Sequence, residues 1–293
     1  MSRPVLHAVL AIAFLSGMDA IIKGLVAGLP VLEVTWMRYL VGSAVMGAIA
    51  AAARPGWPSA ETLRANAARA VIVVVTAVSF FYALGQLPLA ETLIISFVSP
   101  TFTALLAALI LGERIERRVL VALAAGFAGV AVIVAAGLGT DGAAPDGRQG
   151  SLLGVAAVIV ASLGYSASNV LLRARAQRDP LLLIVLIQNV APCLMLAGPA
   201  ALVWRMPAGR ELVLLACVGT LGVAGHLLLA RAYAKAEATR LAPLDYTALI
   251  WALVFGFLAY GEVPNAWTLL GGALILASAY SVARRPPATD RPG

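Results

Sequence analysis

Charge is scarce in this chain. Only 12% of its 293 residues are Asp, Glu, Lys or Arg, against 61% that are hydrophobic, and mean hydropathy reaches +0.94. Soluble domains carry about 25% charged residues, so this composition lies outside that class. Cysteine is nearly absent too. Cys193 and Cys217 sit in separate apolar runs with no His or Asp beside them, which fits neither a disulfide framework nor a metal site. There is no zinc-protease pair, phosphate-binding loop, cysteine cluster or dinucleotide fingerprint, so the sequence calls for no cofactor. The apolar–polar alternation of membrane-barrel strands is missing, as is any segment long enough for a separate soluble domain.

What remains is apolar runs of about 20 residues, each long enough to cross a hydrocarbon core of roughly 30 Å. Ten follow one another, at about 4–26, 30–53, 67–84, 91–111, 117–137, 151–172, 180–204, 211–231, 241–260 and 266–283. The reading is an all-α polytopic membrane protein with ten transmembrane helices. The first run holds Asp19 and Lys23, and its small-residue triplet Ala11-Ile12-Ala13 comes too early to follow a full apolar core. It therefore reads as a span and not a signal peptide.

The net charge of +7 and pI near 9.9 suit nucleic acid or a membrane surface, and position decides between them. With the N-terminus placed in the cytoplasm, sixteen of the 21 cations gather on that side: Arg3; Arg54, Arg64 and Arg69; Arg114, Arg117 and Arg118; Arg173, Arg175 and Arg178; Arg231, Lys235 and Arg240; Arg284, Arg285 and Arg291. The other side keeps Lys23, Arg148, Arg205 and Arg210, and Arg38 falls within a span. Cationic loops stay in the cytoplasm, so the basicity is a topology signal, with no nucleic-acid partner. The expected setting is the inner cell membrane, with both termini cytoplasmic.

A repeat runs through the pattern. Tyr82 to Glu113 and Arg231 to Glu262 are apolar stretches ending in the same pair, Gly112-Glu113 and Gly261-Glu262. The constant offset sets Phe97 against Tyr246, Phe102 against Trp251 and Ala107 against Gly256. Arginines follow the first pair, whereas Val263, Pro264 and Asn265 follow the second, so the copies read as oppositely oriented. The expected organisation is a five-helix repeat over 1–138, an extracytoplasmic linker over 139–150, a second, inverted five-helix repeat over 151–283 and a cytoplasmic tail over 284–293.

The segment from Arg231 to Leu276, with its Ala242-Pro243-Leu244-Asp245-Tyr246 run, and the weaker copy from Leu87 to Val130 resemble EamA-type members of the drug/metabolite transporter superfamily. The resemblance covers nearly the whole chain. It implies ten helices in two inverted halves, and the Ala-Pro-Leu-Asp-Tyr-Thr-Ala-Leu-Ile-Trp stretch is similar to bacterial amino-acid exporters, the aromatic amino-acid branch included.

In such transporters the substrate lies near the midplane, between repeats, so polar and aromatic residues deep in the spans are the candidates. Gly28-Leu29-Pro30 joins the first two spans as a hairpin. Asp19 and Arg38 lie at matching depth from it, roughly 11–14 Å in at 1.5 Å per residue, and Lys23 and Glu33 form a shallower matched pair. Pairing offsets the cost of a lone membrane charge, about 2.5–3.5 kcal/mol. The Asp19–Arg38 pair either pins the hairpin or acts as a gate that receives a zwitterion. Asp245, after the helix-bending Pro243, is a further gating or proton-carrying candidate, with Pro100 as the counterpart break.

The substrate-binding candidates are Trp36, Tyr82, Ser96, Ser99, Tyr165, Asn169, Gln188, His226, Tyr246 and Trp251. Against each stands a plainer role in helix packing, backbone satisfaction or the interfacial aromatic belt. Aromatic walls with few charges suit a small amphipathic metabolite such as an amino acid, which makes a small molecule and the lipid bilayer the expected partners. The rivals are drugs or cationic amphiphiles and sugar or lipid-linked metabolites. The enzymatic alternative is an intramembrane serine protease using Ser166, in Gly164-Tyr165-Ser166-Ala167, with His226. Ala167 stands where that resemblance expects glycine, and ten inverted spans are wrong for that fold.

Overall fold

In a computed structural model, residues 3–111, 117–139, 151–175, 180–233 and 242–283 are described. Their regular structure is helical: α1 (Arg3–Val26), α2 (Val31–Ala53), α3 (Ala60–Gln86), α4 (Leu89–Ser96), α5 (Ser99–Leu111), α6 (Arg117–Gly139), α7 (Leu152–Arg175), α8 (Leu181–Leu202), α9 (Gly209–Tyr233), a 3-10 turn (Ala242–Tyr246), α10 (Thr247–Tyr260) and α11 (Ala266–Ala283). Seven segments are long and apolar enough to cross a membrane, and three shorter apolar helices complete ten. Within hydrocarbon every backbone polar group must be satisfied inside its own segment, which forces these runs into helices. The protein is a multi-pass helical membrane protein. The Gly112-Glu113 pair, the linker from 140 onward and the tail lie outside the described residues.

Local chemistry sets the helix ends. Pro30, Pro88 and Pro180 occupy the N-cap positions of α2, α4 and α8, where a missing N–H breaks no helical bond. Ser59 caps α3, its Oγ accepting the Thr62 N–H at 3.1 Å. The cap starts this helix at Ala60, seven residues ahead of the apolar run read from the sequence.

The fourth run is broken. It divides at Phe97-Val98 into α4 and α5, and the ninth divides at the same place in the repeat, where the 3-10 turn meets α10. Pro100 enters the first turn of α5, and the Ser96 carbonyl, four residues back, has no amide to receive. Ser162 of α7 presents its hydroxyl to that carbonyl at 3.5 Å.

Spans from the two halves interleave. α1 packs on α9 as α3 packs on α7, α2 on α9 as α8 on α3, and α5 on α7 as α10 on α1. α2 with α8, α4 with α10 and α6 with α11 pair equivalent elements. Exchanging the first five spans for the last five therefore leaves these pairings unchanged. Phe97 and Tyr246, equivalent by the repeat offset, lie against each other with ring centroids 5.3 Å apart.

Candidate functional site

α1 and α2 leave their turn and diverge, because α9 wedges between them. Gly222 of α9 makes room for this: a Cβ there would lie 3.1 Å from Met18 Sδ on α1 and 3.4 Å from an Arg38 nitrogen on α2. Asp19 and Arg38 are 9% and 7% exposed but do not form the expected hairpin ion pair. Among the described residues no cation lies within 4.0 Å of the Asp19 carboxylate. The Arg38 guanidinium lies 4.5 Å from the Tyr39 ring centroid and 3.4 Å from His226 Nε2. An arginine only donates, so Nε2 accepts, and the ring is neutral with its proton on Nδ1.

Arg69 reaches the same region from α3. The topology count assigns it to a cytoplasmic loop; the early Ser59 cap instead carries it into the helix, on the buried stripe of Thr62, Asn66 and Val73. It is 5% exposed, and its Nη1 and Nη2 donate to Ser168 Oγ on α7 and Gln188 Oε1 on α8, both at 3.1 Å. Tyr39 lies between Arg38 and Arg69: Arg38 sits over its ring, and the tyrosine packs with Val73, one turn from Arg69 on α3. Among the described residues neither guanidinium has a carboxylate within 4.0 Å, and the Nε of each is buried without an acceptor. A charge placed this deep marks a substrate or ion path more often than a fold contact.

Tyr165 sits mid-stripe on the inward face of α7, flanked by buried Val158, Ala161, Ser162 and Ser168, yet it is 51% exposed. Asn169, one turn further, lies half-buried on the same face. Asn189, beside Gln188, turns away: its amide nitrogen donates to the Val185 carbonyl at 2.8 Å.

Other sequence candidates lie elsewhere. Ser96 Oγ donates to the Leu93 carbonyl at 2.7 Å, and the Ser99 carbonyl accepts from Ser166 Oγ at 2.7 Å, so these residues satisfy the helix break. Ser166 also donates to the Ser162 carbonyl, while His226 faces Arg38; the Ser–His dyad does not form. Trp36 packs edge-on against Trp204 at 5.7 Å. Trp251 stacks on Phe255, which closes on Gly17 of α1. Tyr246 lines a shallow apolar groove of about 320 Å³ with Leu276, Ala277 and Tyr280. Tyr82 shares a helix face with exposed Val71 and Val75, which directs it away from the buried stripe. Asp245 is exposed at the 3-10 turn.

A second polar network ties the face opposite the chain start. Lys23 does not meet Glu33. It pairs with Glu262 Oε1 at 2.9 Å and donates to the Leu84 and Leu87 carbonyls at 3.2 and 2.5 Å. Gly261, at φ 65°, ends α10 in a left-handed cap, with its N–H on the Phe257 carbonyl at 2.9 Å and the Glu262 N–H on Gly256 at 3.1 Å. The cap aims Glu262 at α1, and Glu262 Oε2 also accepts the Leu89 N–H at 2.7 Å. The second Gly-Glu pair is thus a helix cap followed by an anchor. Glu33 accepts the Arg205 backbone N–H at 2.9 Å, the Arg205 guanidinium donates to the Gly28 carbonyl, and Thr268 donates to Glu91 at 2.8 Å. Depth from a turn identifies neighbours on two helices, whereas these charges found partners on others.

Ten apolar helical segments, interleaved halves and a buried charged centre are the features of a membrane transport protein. The chain belongs to the EamA-like transporter family, whose sequence profile matches residues 2–135 and 152–284, once in each half. It is 30% identical over 290 residues to the pseudopaline exporter CntI of Pseudomonas aeruginosa, covering 96% of this chain and 95% of that one. The riboflavin transporter of Rhizobium johnstonii is 27% identical over 231 residues, 76% of this chain and 71% of its own. The S-adenosylmethionine uptake transporter of Rickettsia felis is 23% identical over 198 residues, 68% and 64% of the two chains. A protein of known crystal structure matches with a TM-score of 0.63 over 97% of both chains at 21% identity, a likeness of fold. The protein is a transporter and not an enzyme.

Proposed function

We propose that this transporter exports small amphipathic metabolites, amino acids above all and aromatic ones among them, by alternating access about the centre formed by Arg38, Arg69 and His226. The observation that carries this reading is the buried, charge-bearing centre to which α2, α3, α7, α8 and α9, spans of both halves, contribute. Asp19 suits a substrate ammonium and Arg38 a carboxylate. The two halves are inverted repeats that rock against each other; the exchange-invariant packing and the opposed Phe97 and Tyr246 support this. The Lys23–Glu262 network closes the extracytoplasmic end, and the arginine-rich loops face the cytoplasm of an inner cell membrane. Export is the direction of the pseudopaline exporter, matched end to end. Cationic amphiphiles are opposed by two buried guanidiniums that, among the described residues, have no carboxylate within 4.0 Å.

The test is flux through purified protein in liposomes with labelled phenylalanine, threonine and methionine, with and without a pH gradient. Saturable flux supports the reading, and its response to the gradient decides proton coupling. Folded protein that moves none of the three, nor an acidic amino acid, above empty liposomes rejects it.

A further inference from the structure

We infer that the centre is a two-subsite receptor for a substrate bearing two carboxylates, one received by Arg38 beside His226 and the other by Arg69 between Ser168 and Gln188. The inference rests on reading this centre as the substrate site and narrows its chemistry. Arg38 lies over the Tyr39 ring, and Tyr39 packs in one buried cluster with Val73, one helical turn from Arg69, so two like charges share a low-dielectric interior, where they repel. Among the described residues the partners of both guanidiniums are neutral: an imidazole for one, a hydroxyl and an amide for the other. A neutral side chain at 69 would join α3 to Ser168 and Gln188 without burying a cation, so helix cross-linking does not account for arginine there.

The unmade bonds point the same way. Arg38 Nε and Arg69 Nε are buried without acceptors. Because Gln188 gives its oxygen to Arg69, its amide hydrogens remain available as further donors. The planar guanidinium fork matches a carboxylate with two parallel bonds. The subsites stand on different helices with separate supports, which fits two spaced carboxylates better than one compact anion. Asp19, acting as an ammonium acceptor, completes an amino-dicarboxylate. Tyr165, 51% exposed, lies three residues before Ser168 on the same face of α7.

The experiment measures affinity of the purified full chain, by ligand-induced thermal stabilisation, for matched pairs: glutamate and glutamine, aspartate and asparagine, iminodiacetate and glycine. The dicarboxylate of at least one pair should bind about tenfold or more tightly than its partner, the worth of one charge-assisted hydrogen-bonded contact. Arg69→Gln should bring that ratio to about one, and Arg69→Lys should keep part of it. Ratios near one in the wild type for all pairs, an Arg69→Gln protein that keeps the preference, or inorganic phosphate stabilising as well as the dicarboxylates would each overturn the inference. If Arg69→Gln does not fold, the wild-type ratios decide alone. Liposome flux of monocarboxylate amino acids without dicarboxylate preference defeats this inference only; no flux of either class defeats the functional reading beneath it.

Discussion

Lys23, 4% exposed, holds Glu262 and two carbonyls, and Glu262 in turn holds an α4 amide. Removing one partner of a buried ion pair costs about 3–5 kcal/mol because the other charge is left stranded. Glu262 is 19% exposed, so Glu262→Gln belongs at or below the lower end of that range. It should lower the melting temperature in detergent by several degrees, and the exchange of Lys23→Glu with Glu262→Lys should recover part of the loss. An unchanged Glu262→Gln melt would show that the anchor is dispensable. At the centre, Asp19→Asn and Arg38→Gln should each cut liposome flux about tenfold or more, the worth of a charged contact, while the folded fraction by size exclusion holds. The double variant should assemble and still not transport; normal flux would make both residues structural. Depth within an apolar run is enough to single out Asp19, Arg38, Gln188 and His226. Arg69 escaped because the apolar run was read from 67, which put it at the run's cytoplasmic edge, where it was counted with the loop cations. The signal was there in Ser59 as a cap, with Thr62, Asn66, Arg69 and Val73 on one helical face.

Among the described glycines, the closest approach to the backbone of another helix is between α6 and α11. A Cβ on Gly129 would lie 2.6 Å from the Gly271 carbonyl and 2.8 Å from Ile275, and one on Gly271 would lie 2.6 Å from the Gly129 carbonyl. Lipid supplies no hydrophobic drive between spans, so such backbone contact is what joins them. Gly129→Val should push the helices apart and sharply reduce the yield of folded protein. Gly47→Ala on α2, with nothing within 4 Å, should express as the wild type does. Equal yields for the two variants would deny this crossing its role. Several helix ends follow from prolines, Ser59 and Gly261, which act within one turn and are visible in the sequence. The break at Phe97-Val98 is legible through Pro100. Its satisfaction by Ser162 and Ser166 is not, since those serines come from a helix of the other half.

For the whole molecule, the interleaving of the halves makes topology testable. In a Cys217→Ser background, an impermeant maleimide added to intact cells should label Ala208→Cys, while Ser59→Cys should react only after lysis. Both positions are exposed. Labelling of both from one side would break the alternation of spans, and the reverse pattern would invert the orientation. The sequence by itself determined a helical membrane protein, its spans and the family, because the bilayer requires each segment to satisfy its own backbone and apolar length can be read residue by residue. Only the tertiary structure decided which charges meet. α9 parts Asp19 from Arg38, α10 takes Lys23 from Glu33, and α7 with α8 receives Arg69. Those partners stand on helices distant in the chain, and a buried charge is satisfied by whatever the packing brings near it.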